Sequence, residues 1–303
     1  MIINIKMRKE ISLMNIYGKS TLTPVIFDKM NKGANGIEIH LNNEFIKKDF
    51  DFKKDMNISL IEQVPIYVVH IPIVDEIVDI ETIESREVLK RIVPFASYIA
   101  NKQHHSILIV VHLSTSIKTL KNLRVYDNII NDLCNIVKEN DNIEIGIENV
   151  MNFHQDTKYF ALYNLFQDNV QLAKDCNHPR IGSVLDICHT LSDISFLTYL
   201  QNYLDLPIDK FYSLEDYFKI NKDSIKLMHL ANKIGNGSMK NHGTPFTKND
   251  LDLLSQIMKF YNQYEYKCPI TLEVREDNYE DAKNFKTTLD SLNFVLNTKL
   301  NYP

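Results

Sequence analysis

The sequence predicts an α/β protein built as a single (β/α)8 TIM barrel, and three observations lead there. Eight β-rich runs alternate with helical segments, mostly in the order strand then helix. The purest runs are apolar enough to be buried on both faces, and most end in His, Glu or Asp. No glycine-rich phosphate turn follows an early strand, which argues against the doubly wound alternative.

At 303 residues the chain is long for one average domain, but barrels of this length are routinely single and no linker-like stretch divides it. Residues 1–303 are therefore read as one barrel domain, with a covering segment at 191–223. Hydrophobic residues at 44% and charged residues at 24% are ordinary for a chain with a full core. A net charge of −5 and a pI near 6.1 give no whole-chain attraction for nucleic acid or anionic membrane. Cys134, Cys176, Cys188 and Cys268 are widely spaced and form no Cys-x-x-Cys pair, so reduced structural thiols are expected. The N-terminus lacks an apolar stretch of ~7–15 residues such as a signal peptide carries, and no run reaches the ~18 apolar residues of a membrane span. A cytoplasmic protein is expected.

The first strand is read at residues 10–17, followed by Gly18 and a helix from Pro24 to Met30. Gly36 to His40 is the second strand, and residues 42–60 read as a polar loop with some helix. Val64 to Ile73 is the third, with His70 near its end and Pro72 stopping the ladder. A helix from Glu81 to Gln103 places Ile92, Phe95, Ala96 and Ile99 on one face, and Pro94 should kink or divide it. Ser106 to His112 is the fourth strand. Tyr126, Ile129, Ile130, Leu133, Cys134 and Val137 mark an amphipathic helix. The fifth strand, Asn142 to Val150, carries Glu148 at its end. After a helix near Tyr159 to Lys174, the sixth strand, Arg180 to Cys188, ends in Asp186 with His189 just past it. The stretch 191–223, with Pro207 in its middle, reads as helices plus a cover. Ser224 to Leu230 is the seventh strand, with His229, and a glycine-containing loop holding His242 follows. A helix carrying Leu251, Leu254, Ile257, Met258 and Tyr261 leads to the eighth strand, Pro269 to Val274, with Glu273. A last helix spans Tyr279 to about Leu300.

In such a barrel the C-terminal strand ends converge on one mouth. His70, His112, Glu148, Asp186, His229 and Glu273 each end a different strand, while His189 and His242 lie just beyond one. Imidazole and carboxylate are the ligands that Zn²⁺, Mn²⁺ or Fe²⁺ prefer. A lone strand-end histidine is more often structural than a ligand, so the weight rests on the joint pattern. His104, His105 and His178 precede strands, at the opposite face, and read as surface or turn residues. His40 and His154 stand on the mouth side but are also readable as loop residues, and neither is assigned a role.

The motifs G-I-E-I-H, V-V-H-I-P, V-V-H-L-S, G-I-E-N-V, R-I-G-S-V-L-D-I-C-H, M-H-L-A-N, N-H-G and I-T-L-E-V together resemble the xylose-isomerase-like TIM-barrel superfamily, over nearly the whole chain. That superfamily includes the endonuclease IV family and the sugar isomerases and epimerases. The resemblance implies one to three divalent ions (Zn²⁺, Mn²⁺ or Mg²⁺). Glu148, Asp186, His229 and Glu273 match the four-ligand site of the epimerases. His70 and His112, sharing Glu148, match a second site of the endonuclease type, and His189 and His242 match two ligands of its third. Two departures bear on this. Lys240 stands where the endonucleases carry an Asp, which weakens the third site, and Gly235 stands where epimerases often carry an Arg.

In the isomerase or epimerase reading, a small sugar or polyol, with or without a phosphate, reacts through a metal-stabilised enediolate. Glu148 and Glu273 would move the proton, while His189, Lys240, Arg275 and Glu38 would orient substrate. In the phosphodiesterase reading, which alone admits nucleic acid, two or three zinc ions generate hydroxide. A dehydratase or lyase would share the enediolate chemistry. A non-catalytic metal-binding barrel is disfavoured, because buried unpaired carboxylates and imidazoles cost stability.

Overall fold

Alternation along the strands decides which side chains enter the interior. The computed structural model describes residues 14–47, 49–72, 80–151, 167–204, 212–233, 242–278 and 281–298. Within it β1 (Ile16–Ser20), β2 (Gly36–His40), β3 (Ile66–His70), β4 (Ile107–Leu113), β5 (Ile143–Asn149), β6 (Ile181–Asp186), β7 (Ile225–Leu230) and β10 (Ile270–Leu272) close into one parallel barrel. The short β8 (Asn232–Lys233) and β9 (His242–Thr244) pair antiparallel as a separate ribbon.

On β4, Ile107, Ile109, Val111 and Leu113 join the apolar layer shared with the helices. The alternate residues Leu108 and Val110 fill the barrel interior with Tyr17, Val68, Val184 and Leu227. Continuing that parity turns His112 inward. On β5 the same rule sends Ile143, Ile145 and Ile147 outward and Gly146 and Glu148 inward. Gly146 has to lack a side chain, since a Cβ there would stand 2.5 Å from Val184 Cγ2. Among the described residues these side chains fill the interior below the mouth, which leaves the polar strand ends as the level for chemistry.

The structure shifts several expected boundaries. The first strand runs to Ser20, so Gly18 lies inside it; residues 10–13 of the expected strand fall outside the described residues. Gly18 reads as a turn but serves close packing, because a Cβ on it would come within 2.8 Å of Lys29 Cβ. The helix Ile83–Gln103 continues through Pro94. Pro94 is exposed, so the backbone bond that it omits falls on the solvent side, where the freed carbonyl is open to water. β6 stops at Asp186, and Ile187 begins the helix Ile187–Leu204, which puts His189 in a first helical turn. Of the expected helix near 159–174, residues 159–166 lie outside the described residues, as does His154, and the described part is Asp168–Cys176. The last helix is Lys283–Thr298. All four cysteines are free thiols, and among the described residues no helix is long and apolar enough to cross a membrane.

Candidate metal centre

Every barrel strand delivers one ionisable group to the mouth: Lys19 from β1, Glu38 from β2, His70 from β3, His112 from β4, Glu148 from β5, Asp186 from β6, His229 from β7 and Glu273 just past β10. Register makes them neighbours. Lys19 stands opposite Glu38, His112 opposite Glu148, and Asp186 opposite His229.

Three candidate ligand groups result: Glu38, His70 and His229 form one, and the two others share Glu148. In the first of those two, His70 Nε2 and His112 Nε2 are 3.2 Å apart, and each is 3.1 Å from Glu148 Oε2. In the second, His229 Nδ1 lies 3.2 Å from Glu148 Oε1, 2.8 Å from Glu273 Oε2 and 3.8 Å from Asp186 Oδ2. Metal–ligand bonds of about 2.0–2.2 Å in a tetrahedral shell separate ligand atoms by roughly 3.3–3.6 Å, so both groups are close to the required spacing. Asp186 Oδ2 is buried without a hydrogen-bond donor, and Glu273 Oε2 has only His229 Nδ1 beside it, at 2.8 Å. Carboxylate oxygens in that position need a cation, and a divalent ion fits the donor set.

Supporting bonds fix which ring nitrogens face the ligand groups. His70 Nδ1 donates to Ile71 O at 2.8 Å, which leaves Nε2 as the acceptor. His229 Nε2 donates to Glu38 Oε2 at 3.0 Å, which aims Nδ1 at the second group. His189 Nδ1 donates to Asn149 O at 2.7 Å. Asn149 also clamps the end of β6: its Oδ1 accepts from Asp186 N at 2.7 Å and its Nδ2 donates to Asp186 O at 3.2 Å. Asp186 Oδ1 accepts the His189 backbone N–H, as a helix N-cap does, so only Oδ2 remains for the ligand group.

Electrostatics follow from three buried carboxylates and the partly exposed Glu273 around a few cationic groups. Burial pushes Glu148 up, but the His229 and His112 imidazoles outweigh it and hold its carboxyl well below the usual range. Glu273 goes the same way, with Lys19 and His229 overcoming burial. For Asp186 burial wins. Its carboxyl is pushed up to about 6, with His189 opposing and the Glu148 and Glu273 charges reinforcing. Burial would depress His229, yet Glu38, Glu148 and Glu273 raise it well above the imidazole norm. Without a metal the centre thus draws a proton onto His229, and a dication is the natural substitute for it.

Of the expected site residues, His70, His112, Glu148, Asp186, His229 and Glu273 come together, with His189 beside them, its Nδ1 3.5 Å from Glu148 Oε1. Glu38, expected to orient substrate, is fully buried, and its oxygens face His229 and Lys19. Arg275 is exposed, with its backbone N–H bonded to Gly243 O. His242 lies in the β8–β9 ribbon, its side chain beyond description, and Lys240 is outside the described residues. His40 reaches the mouth beside His70, ring centroids 5.5 Å apart. Lys19 and Asn149 were not foreseen. Strand parity carried one residue past Gly18 would have found Lys19.

Fold and site together define a TIM barrel with metal-type ligands at the C-terminal ends of its strands. The sequence profile of the xylose isomerase-like TIM barrel matches residues 33–295, and the chain belongs to that family. No curated protein sequence matches. Among solved structures, a D-tagatose 3-epimerase-like protein superposes at TM-score 0.59 with 19% identity, over 95% of this chain and 100% of that one. An IolI protein with a bound zinc atom superposes at 0.63 with 14% identity, over 95% and 100%. The 3-keto-D-glucoside 4-epimerase YcjR from E. coli gives 0.54 and 13%, over 93% and 98%. At these identities the likeness is one of fold.

Proposed function

We propose that the chain is a divalent-metal-dependent isomerase or epimerase of a small sugar or polyol. The observation that carries the proposal is the convergence of Glu148 Oε1, Asp186 Oδ2, His229 Nδ1 and Glu273 Oε2, with the Glu273 side chain reaching the surface at 14% exposure. A bound divalent ion would polarise adjacent oxygens of a hydroxy-ketone or aldose and acidify the C–H beside the carbonyl. Glu273, the most exposed of the four, would take that proton through Oε1, the oxygen beside Lys19 rather than the one turned to the ligand group. Glu148 is buried to 1% and both its oxygens face histidines, so its part is to hold the two ligand groups together rather than to meet substrate. His189, at 11% exposure and oriented by the Asn149 carbonyl, is the second group at the mouth able to carry a proton. Relatives in fold whose names are sugar epimerases, and one that holds zinc, support this reading.

The test is hydrogen exchange. Protein loaded with Mn²⁺ or Zn²⁺ and incubated in D₂O with a panel of ketoses and aldoses should place deuterium on the carbon beside the carbonyl, as NMR would show. Glu273→Gln should lose that exchange. A second reading, a zinc phosphodiesterase, is favoured by the His70, His112 and Glu148 triangle, which a one-metal isomerase does not require. Hydrolysis of a phosphodiester such as bis(p-nitrophenyl) phosphate, with no C–H exchange on any sugar, would replace the first reading with the second.

A further inference from the structure

Two of the three glutamates against His229, Glu38 and Glu273, are split between the same two partners. Glu38 gives Oε2 to His229 Nε2 at 3.0 Å, and its Oε1 lies 3.3 Å from Lys19 Nζ. Glu273 gives Oε2 to His229 Nδ1 at 2.8 Å, and its Oε1 lies 2.6 Å from Lys19 Nζ. Lys19, Glu38, His229 and Glu273 therefore form a closed ring across four strand ends. Sheet register enforces it: Lys19 pairs with Glu38 on one side, and Gly18 pairs with Leu272, the residue before Glu273, on the other. The Lys19 side chain is 10% exposed and its amine is buried, so it does not reach out to solvent or substrate.

We propose that Lys19 is a built-in counter-cation that holds the centre together in the absence of metal and sets how weakly the metal is held. The inference rests on the metal reading given above. The buried Glu38, Glu148 and Asp186 and the partly exposed Glu273 crowd their charges into one cluster, and among the described strand-end residues at this mouth Lys19 is the one with a fixed positive charge. In the metal-free protein it sits between Glu38 and Glu273 and offsets one of their two negative charges. By pinning each Oε1 it leaves Glu273 with a single oxygen, Oε2, turned to the ligand group. When a dication enters, Lys19 stays and repels it, so affinity is lower than the carboxylates alone would give. The consequence is a site that folds without metal and exchanges it readily.

Zinc titration by calorimetry, on EDTA-stripped wild type, Lys19→Met and the double variant Lys19→Met/Glu38→Gln, decides the matter, together with thermal unfolding of the stripped proteins. Lys19→Met should unfold at a lower temperature when stripped and bind Zn²⁺ roughly tenfold more tightly or better. The double variant restores the net charge and should return zinc affinity towards wild type. If Lys19→Met does not fold when stripped, the double variant carries the decision: affinity near wild type supports the proposal, and failure to fold, or weaker binding, overturns it. Zinc bound equally or less tightly by a folded Lys19→Met also overturns it while leaving the metal reading intact. Wild type that takes up no zinc overturns both.

Discussion

Glu148→Gln should lose at once both ligand groups that share Glu148. Glu148 is the one residue common to them, with Oε2 3.1 Å from His70 and His112 and Oε1 3.2 Å from His229. A neutral amide contributes one weaker donor atom and no charge, so neither group keeps a complete anionic set. Lewis-acid stabilisation is worth several kcal/mol, and at 1.36 kcal/mol per decade its loss lowers turnover by about three orders of magnitude or more. The fold should persist, since the strand around Glu148 is anchored by Ile143, Ile145 and Ile147. Bound metal by elemental analysis, turnover and circular dichroism check the three parts. A Gln variant that keeps its metal and its turnover would show that Glu148 does not bridge the two groups.

Asp186 should govern the pH dependence of metal binding. In the metal-free fold its carboxyl is pushed up to about 6 from an ordinary value near 3.8. Between those values the folded chain holds a proton that the unfolded chain has lost, so the metal-free fold loses stability as pH rises through about 6. Metal needs the carboxylate form, so affinity runs the opposite way and weakens as pH falls below about 6. Asp186→Asn separates the two effects. It keeps the cap on the His189 backbone N–H and removes a buried charge, so the stripped variant should unfold at a higher temperature than wild type at pH 7–8. Its zinc affinity should fall by roughly a hundredfold or more and lose the slope near pH 6, to be read by calorimetry at several pH values. A less stable variant with unchanged affinity would contradict this placement of Asp186.

The barrel was legible because parallel strands buried on both faces read as apolar runs, and each run here breaks at an ionisable residue. The same breaks named His70, His112, Glu148, Asp186, His229 and Glu273. Lys19 was hidden by Gly18, which looks like the end of a strand but exists to let Lys29 approach. The depth of Glu38 was not readable either. Parity gives the face on which a residue points, but only the register with Lys19 and the reach of His229 show that Glu38 supports a ligand rather than a substrate. Asn149 needed the neighbouring strand, because its role is to hold Asp186 and His189, both distant in sequence. Pro94 misled because its effect depends on which side of the helix faces water.

The most direct test of a metal-centred barrel is elemental analysis of protein purified without chelator or affinity-tag metal, with an anomalous diffraction map to place each ion. The expected result is at least one divalent ion per chain among Glu148, Asp186, His229 and Glu273, with a second ion, where present, at His70, His112 and Glu148. A chain that holds no divalent ion, and takes none up when Zn²⁺ or Mn²⁺ is supplied in excess, would contradict it.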